Sequence, residues 1–403
     1  MTDPGKPSRV ALVGASGHGL WHRRTVAALQ DAGRVELVAL VDVRPVEPAP
    51  DAPIPDTAAV FTDHREMLAA VRPEVVVVCT PPHTHLPIAL DILAAGADVL
   101  LEKPPVLSMA EHRRLVAAVA ESGRSCQVGF QALGSAALTE LLAAIGDGRL
   151  GRITGISTVA CWQRTDGYYA RAPWAGRRTL ADGQPALDGA LVNPLAHAVM
   201  QSLAVAAVAA GVEVVAPVRM ELERYRTRPI EVDDTATMRV TLRDGPPVVA
   251  AVTLAGEDFV AGEVIVQGSA GRAVLEYPTD RLMLPGETKL REVPGRVGLL
   301  ENLLDHRVAP DRVPLIVPVE RTAPFTVLAE AIHDAPEPTL VTSEVVYATG
   351  EPPERVLTIR GVNAALRRAA EERALLSELG VPWAAAPYRV DLSGAGSARP
   401  ADT

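Results

Sequence analysis

The chain has 403 residues, more than one hydrophobic core accommodates, and its 48% hydrophobic and 22% charged residues exclude the disordered and fibrous classes. A formal net charge of -10 argues against general attraction to phosphate backbones or anionic lipid, so neither nucleic acid nor a membrane is an expected partner. The three cysteines, Cys79, Cys126 and Cys161, are odd in number and lack CxxC spacing, which excludes a disulfide framework or zinc knuckle and fits a reducing, cytoplasmic setting. The N-terminal residues lack a signal-peptide pattern, and the apolar stretch 198–210 holds Gln201 and Ser202 and is too short to span a bilayer.

In chain order, residues 10–13 form an apolar run that ends in Gly14-Ala15-Ser16-Gly17-His18-Gly19, and Trp21, Val26 and Leu29 then mark a helix face closing near Gly33. Residues 35–41 read as a second buried strand that stops at Asp42, followed by a proline-rich loop over 45–55. Helix ends near 67–71, a strand over 74–79, a helix over 86–95, a strand over 98–101, a helix over 109–121 and a strand over 125–130 continue the alternation. Strands alternating with helices imply βαβ units and a parallel, Rossmann-type sheet. After about 130 the period changes to two, predicting strands at 153–163, 214–226, 235–242, 248–254, 263–267 and 272–277, the last two joined by a hairpin turn over 268–271. Such a meander implies an open, mainly antiparallel sheet, covered by helices such as 194–211 and 362–379. The expected domains are 1–130, a nucleotide-binding Rossmann unit, and 131–385, an α+β unit for substrate binding and oligomerisation. A disordered tail is expected over 386–403.

The glycine turn has a physical use. A dinucleotide's pyrophosphate binds where backbone N–H groups and the positive end of a helix can approach it, and glycines allow that approach. Gly14, Ala15, Ser16, Gly17, His18 and Gly19 are placed for this, although the spacing is G-x-x-G-x-G rather than G-x-G-x-x-G. Asp42, at the end of the second strand, would accept hydrogen bonds from the ribose hydroxyls and would repel a 2'-phosphate, favouring NAD. NADP stays possible, because Arg44 could neutralise that phosphate or could simply be a solvated loop residue. Asp233-Asp234 precedes a predicted strand, where exposed turn carboxylates are common, and receives no role. Cys79, His83 and His85 are close enough to suggest a metal, but the intervening Pro81 and Pro82 fix a loop, and no metal site is assigned.

Three motifs together carry a family resemblance: Val13-Gly14, Thr80-Pro81-Pro82-His83-Thr84-His85 after the 74–79 strand, and Glu102-Lys103-Pro104 after the 98–101 strand. With the order of a Rossmann half and then a sheet half, the chain resembles the glucose-fructose oxidoreductase and inositol dehydrogenase family, Gfo/Idh/MocA. The resemblance implies cofactor contacts from Thr80, Pro81, His85, Glu102 and Lys103, with Lys103 beside the nicotinamide and the substrate hydroxyl. An ammonium there can orient the reacting oxygen and stabilise charge developing on it. The family's Asp-x-Gly-x-His segment is matched by Asn193-Pro194-Leu195-Ala196-His197, so the resemblance makes His197 the proton-handling residue, while Asn193 departs from the pattern. An amide cannot stabilise an imidazolium as a carboxylate would; Asp188, upstream, could supply that charge or could serve as a loop anchor.

Four of the fourteen aromatics fall within 162–174, and Tyr168, Tyr169, Trp174 and Arg177 lie where family members often contact substrate. A structural lid is an equal alternative for this segment. The resulting expectation is an NAD(P)-dependent oxidoreductase acting on a hydroxyl-bearing carbon of a sugar, cyclitol or related polyol. The alternatives are a redox-neutral, NAD-assisted sugar transformation and a non-catalytic nucleotide-binding regulatory or accessory protein, the latter motivated by Asn193. The resemblance further implies a homo-oligomer, dimer or tetramer.

Overall fold

The computed structural model describes residues 6–394, which form two compact units: 6–130 with 297–322, and 131–296 with 323–394. In the first unit β1 (Ser8–Val13), β2 (Val35–Val41), β3 (Ala59–Phe61), β4 (Val75–Val78), β5 (Asp98–Leu101) and β6 (Cys126–Val128) build a six-stranded sheet in the order β3-β2-β1-β4-β5-β6. Every pair is parallel. The inner strands are dominated by apolar residues because both faces are covered; the four valines of β4 are wholly buried. Helices α1 (Gly19–Asp31), α2 (His64–Val71), α3 (His85–Ala94) and α4 (Met109–Ser122) make the crossovers. Strand order reverses between β1 and β4, so the carboxyl ends of these two strands flank a crevice of the kind where ligands bind in such sheets. The helix Leu299–Val308 joins this unit, with Gln127 Nε2 donating to Leu299 O and Arg307 pairing with Asp98.

The second unit is built on ten strands: β7 (Ile153–Gln163), β8 (Pro217–Arg226), β9 (Thr235–Leu242), β10 (Val248–Thr253), β11 (Ala255–Gly268), β12 (Gly271–Glu276), β13 (Arg281–Met283), β14 (Arg291–Glu292), β15 (Thr339–Leu340) and a late strand, Tyr388–Asp391. The sheet is mainly antiparallel but is not a simple meander. β10 and β11 follow each other in sequence yet lie on opposite sides of β7, and β7 pairs with β10 in parallel. A parallel pair needs a long crossover, and the connection over 164–216 provides it. The hairpin at 268–271 is present, with Gly268 opposite Gly271.

Side chains of β7 alternate between two faces. Val159 and Cys161 pack with Val362, Leu366 and Ala369 of the helix Val362–Glu372, whereas Trp162 packs with Ala198 of the helix Ala196–Ala210 and with Tyr277. The sheet is therefore covered on both faces at its centre. The helix expected over 362–379 stops at Glu372, because Arg373 takes a left-handed backbone (φ 53°) as its C-cap. The tail is also corrected: Tyr388–Asp391 pairs with β8 from Tyr388↔Leu222 to Asp391↔Arg219, so order extends past 386, and 395–403 lie outside the described residues. Among the described residues no helix is long and apolar enough to cross a membrane.

Candidate functional site

In the first unit the glycine turn closes β1 against the end of β4. Gly14 has φ +86°, and a Cβ on it would lie 2.3 Å from the Cys79 carbonyl oxygen; a Cβ on Gly19, the first residue of α1, would lie 1.8 Å from the Gly14 carbonyl oxygen. Only glycine allows this fold-back, which brings the positive N-terminal end of α1 to the crevice. Asp42 does more than mark the end of β2. Its carboxylate, 8% exposed, accepts from Ser16 N–H at 2.9 Å and from Arg44 N–H at 3.0 Å, tying the turn to the loop after β2. The Arg44 guanidinium lies 3.8 Å from the same carboxylate and is 71% exposed. Ala15 is buried beneath the turn, and Gly17 and His18 are exposed on it.

The loop after β4 is braced internally, the Thr84 hydroxyl donating to Thr80 Oγ1 at 2.7 Å and to Pro81 O at 2.8 Å. His85 is fully buried, its ring nitrogens 2.8 Å from Thr80 O and 2.9 Å from Pro104 O. The imidazole thus joins the Thr80-Pro81 loop to the loop that carries Lys103. Burial holds its pKa below the ordinary histidine value.

Glu102 turns inward, 6% exposed. Its carboxylate accepts from His22 Nε2 at 2.9 Å and from the Lys103 backbone N–H at 3.1 Å, with His18 Nε2 at 3.9 Å. Burial alone would raise its pKa, but the His22 hydrogen bond and the charges of His22, His18 and Lys103 outweigh it and bring the carboxyl to about 2. Lys103 follows, half-buried, at the end of β5. His22 was absent from the sequence reading. Its four-residue spacing from His18 on one helix was the available signal.

In the second unit the centre is Asp188, 3% exposed. It accepts both contacts from Arg171 Nη2 at 2.9 Å, the Gly176 N–H at 2.9 Å and Asn193 Nδ2 at 2.9 Å. A carboxylate therefore does stand beside Asn193, supplied from five residues upstream. His197 sits half-buried in the first turn of the helix Ala196–Ala210, its ring 6.4 Å from that of Tyr277.

The aromatic segment is an alternation of rings and guanidiniums. Arg171 lies over Tyr168 (3.7 Å) and Trp174 (4.5 Å), Arg228 over Tyr169 (4.6 Å), and Tyr168 meets Tyr169 edge-on. Arg177 takes no part in this cluster, its guanidinium turning to Glu231 at 2.5 Å. Asp233 and Asp234 are not exposed turn carboxylates, since each is 1% exposed. Asp233 accepts from Leu191 N–H beneath the loop that carries Asp188, Asp234 accepts from Thr227, and burial raises both pKa values. The loop over 189–191 and Thr227 close over the pair, which the turn-like sequence conceals.

Residues 8–130 match a family model described as an oxidoreductase family with an NAD-binding Rossmann fold. Among curated proteins the chain is 31% identical over 148 residues to a D-glucoside 3-dehydrogenase of Escherichia coli, covering 36% of this chain and 41% of that protein. It is 30% identical over 168 residues to an inositol 2-dehydrogenase of Gluconacetobacter diazotrophicus, covering 40% and 48%. The chain thus spans less than half the length of these relatives. The WlbA dehydrogenase of Bordetella pertussis, solved with NADH and UDP-GlcNAcA, superposes with a TM-score of 0.65 at 24% identity over 81% of this chain and 96% of its own, a likeness of fold that extends beyond the Rossmann unit. The parallel sheet, its glycine turn and the match over 8–130 identify those residues as an NAD-binding Rossmann domain of the Gfo/Idh/MocA oxidoreductase type.

Proposed function

We propose that the chain is an NAD-dependent dehydrogenase of a hydroxyl-bearing carbon on a sugar, cyclitol or related polyol. The observation that carries this reading is the glycine turn at the β1/β4 crevice with the Asp42 carboxylate fixed beside it. Bound NAD supplies the hydride acceptor or donor. The backbone of Gly14, Ala15, Ser16, Gly17, His18 and Gly19 holds its diphosphate, and Asp42 binds the ribose hydroxyls and disfavours a 2'-phosphate. Arg44, already beside Asp42 and mostly exposed, stays solvated.

His85 fixes Thr80, Pro81 and Pro104 along the nicotinamide side, and Glu102, held by His22, sets the backbone from which Lys103 reaches the reacting oxygen. Lys103 orients that oxygen and stabilises its developing charge; His197 takes or returns its proton. Asn193 hydrogen-bonds the substrate or His197 and is itself held by Asp188, whose charge Arg171 already balances. Tyr168 and Trp174 offer aromatic faces to the substrate ring. The relatives named for glucoside and inositol dehydrogenation support the substrate class. We place the enzyme in the cytoplasm as a homo-oligomer. Assembly as a dimer or tetramer would use a surface other than the central β7–β11 face that the helix Val362–Glu372 covers.

Fluorescence titration with NADH and NADPH tests the cofactor half of the proposal. We expect saturable NADH binding, weaker NADPH binding, and a Lys103→Ala variant that still binds NADH. Failure to bind either nucleotide would overturn it.

A further inference from the structure

Three guanidiniums rest on the rings of the 162–174 segment, and two of them are neutralised. Arg171 pairs with Asp188, and Arg228 lies 3.6 Å from Asp166, which Arg355 also engages at 2.7 Å. The third, Arg164, lies 5.0 Å from the centroids of both Trp162 and Tyr168. It is half-buried, it donates from Nη1 to Gln163 O at 2.9 Å, and among the described residues it makes no ion pair. Ring faces are attractive to a cation but leave its charge uncompensated, and a partly desolvated charge favours a counter-ion.

Its location gives that counter-ion a use. Trp162 packs with Tyr277 and Ala198, and the Tyr277 ring lies 6.4 Å from His197, so two rings, Trp162 and Tyr277, connect Arg164 to the proposed proton-handling residue within the same unit. A guanidinium is a planar fork matched to two oxygens of a carboxylate or phosphate, and two rings beside it restrict its orientations in advance.

We propose that Arg164 binds an anionic group of the substrate, a carboxylate or a phosphate, so that the preferred substrates are acidic sugars rather than neutral polyols. This rests on the dehydrogenase reading above and narrows it. A neutral sugar would occupy the same surface and leave the Arg164 charge unmatched, which makes the selectivity a property of this side chain.

The test compares kcat/KM for substrates differing only in that group: a neutral hexose, the corresponding hexuronate and the hexose phosphate. The expected result is at least tenfold preference for one or both anions, and the stronger of the two identifies the natural group. In Arg164→Gln, KM for the preferred anion rises at least tenfold more than KM for the neutral sugar, and Arg164→Lys restores part of the difference. Equal or better turnover of the neutral sugar, or an equal loss for all three substrates in Arg164→Gln, would overturn the proposal. If no substrate turns over, the dehydrogenase reading fails, and ligand-observed NMR then decides this one separately. Binding of the hexuronate or hexose phosphate that Arg164→Gln abolishes sustains it, and absence of such binding refutes it.

Discussion

At the residue scale, two glycines of one turn are asked for different things. Gly14 combines a left-handed backbone with a carbonyl oxygen where its Cβ would stand, whereas Gly17, at φ +60°, has open space around it. Gly14→Ala is therefore expected to cost about 2–4 kcal/mol and to abolish NADH binding, and Gly17→Ala only about 1 kcal/mol of backbone strain. Urea denaturation with parallel NADH titration of both variants checks the contrast; equal losses would show that the Cys79 carbonyl does not set the requirement. Asp42 carries a second prediction. Removing a carboxylate that holds Ser16 N–H should weaken NADH about tenfold in Asp42→Ala, a charge-assisted hydrogen bond being worth about 1.5–3 kcal/mol, while NADPH, relieved of repulsion, loses less. The places of the glycines, Asp42 and Lys103 at strand ends were legible because each belongs to a short motif beside a clear strand. The inward turn of Glu102 was not, since its partner His22 lies 80 residues away.

At the scale of elements, the loop between β7 and the helix Ala196–Ala210 has little regular structure and is held largely by one buried carboxylate. Asp188→Asn keeps the shape and removes the charge that Arg171 faces, so it should destabilise by about 2–3 kcal/mol, somewhat below the range for a fully buried broken pair because Arg171 remains a quarter exposed. Turnover should fall with it, since Asn193 loses its anchor, while NADH affinity is unchanged because the nucleotide site belongs to the other unit. A calorimetric scan and one titration separate these effects, and reduced NADH affinity would contradict the assignment. Here the sequence was a partial guide. Helix-strand alternation announced β1 to β6, except for β3, whose three apolar residues Ala59–Phe61, two exposed and one half-buried, are too short a run to mark a strand. Period-2 runs announced most of the second sheet but could not reveal that β7 lies between β10 and β11, because strand order depends on where a long connection returns. The late strand Tyr388–Asp391 alternates half-buried and exposed residues, and only its partner β8 makes it a strand.

At the scale of the whole molecule, buried histidines set the response to acid. His85 and His112 both have pKa values held below 6.5 by burial, so the folded chain binds fewer protons than the unfolded chain once pH drops toward 6.5. Stability is then full above about pH 7 and declines as pH falls, by at most about 1.4 kcal/mol per pH unit for each group. Glu102 adds a second, more acidic loss. Its folded pKa of about 2 lies below the usual 4.5, so its contribution is present above 4.5 and disappears toward 2. Urea midpoints measured across this range should fall in two stages, and a midpoint that rises between pH 7 and 5.5 would contradict the sign. The central claim is hydride exchange between a bound nicotinamide and a hydroxyl-bearing carbon. It is tested most directly by incubating the purified chain with NAD and a panel of sugars, cyclitols and acidic sugars while following reduced-nicotinamide absorbance. The account predicts substrate-dependent reduction that falls about 100-fold or more in Lys103→Ala and in His197→Ala; NADH binding with no reduction by any substrate, or turnover indifferent to both substitutions, would contradict it.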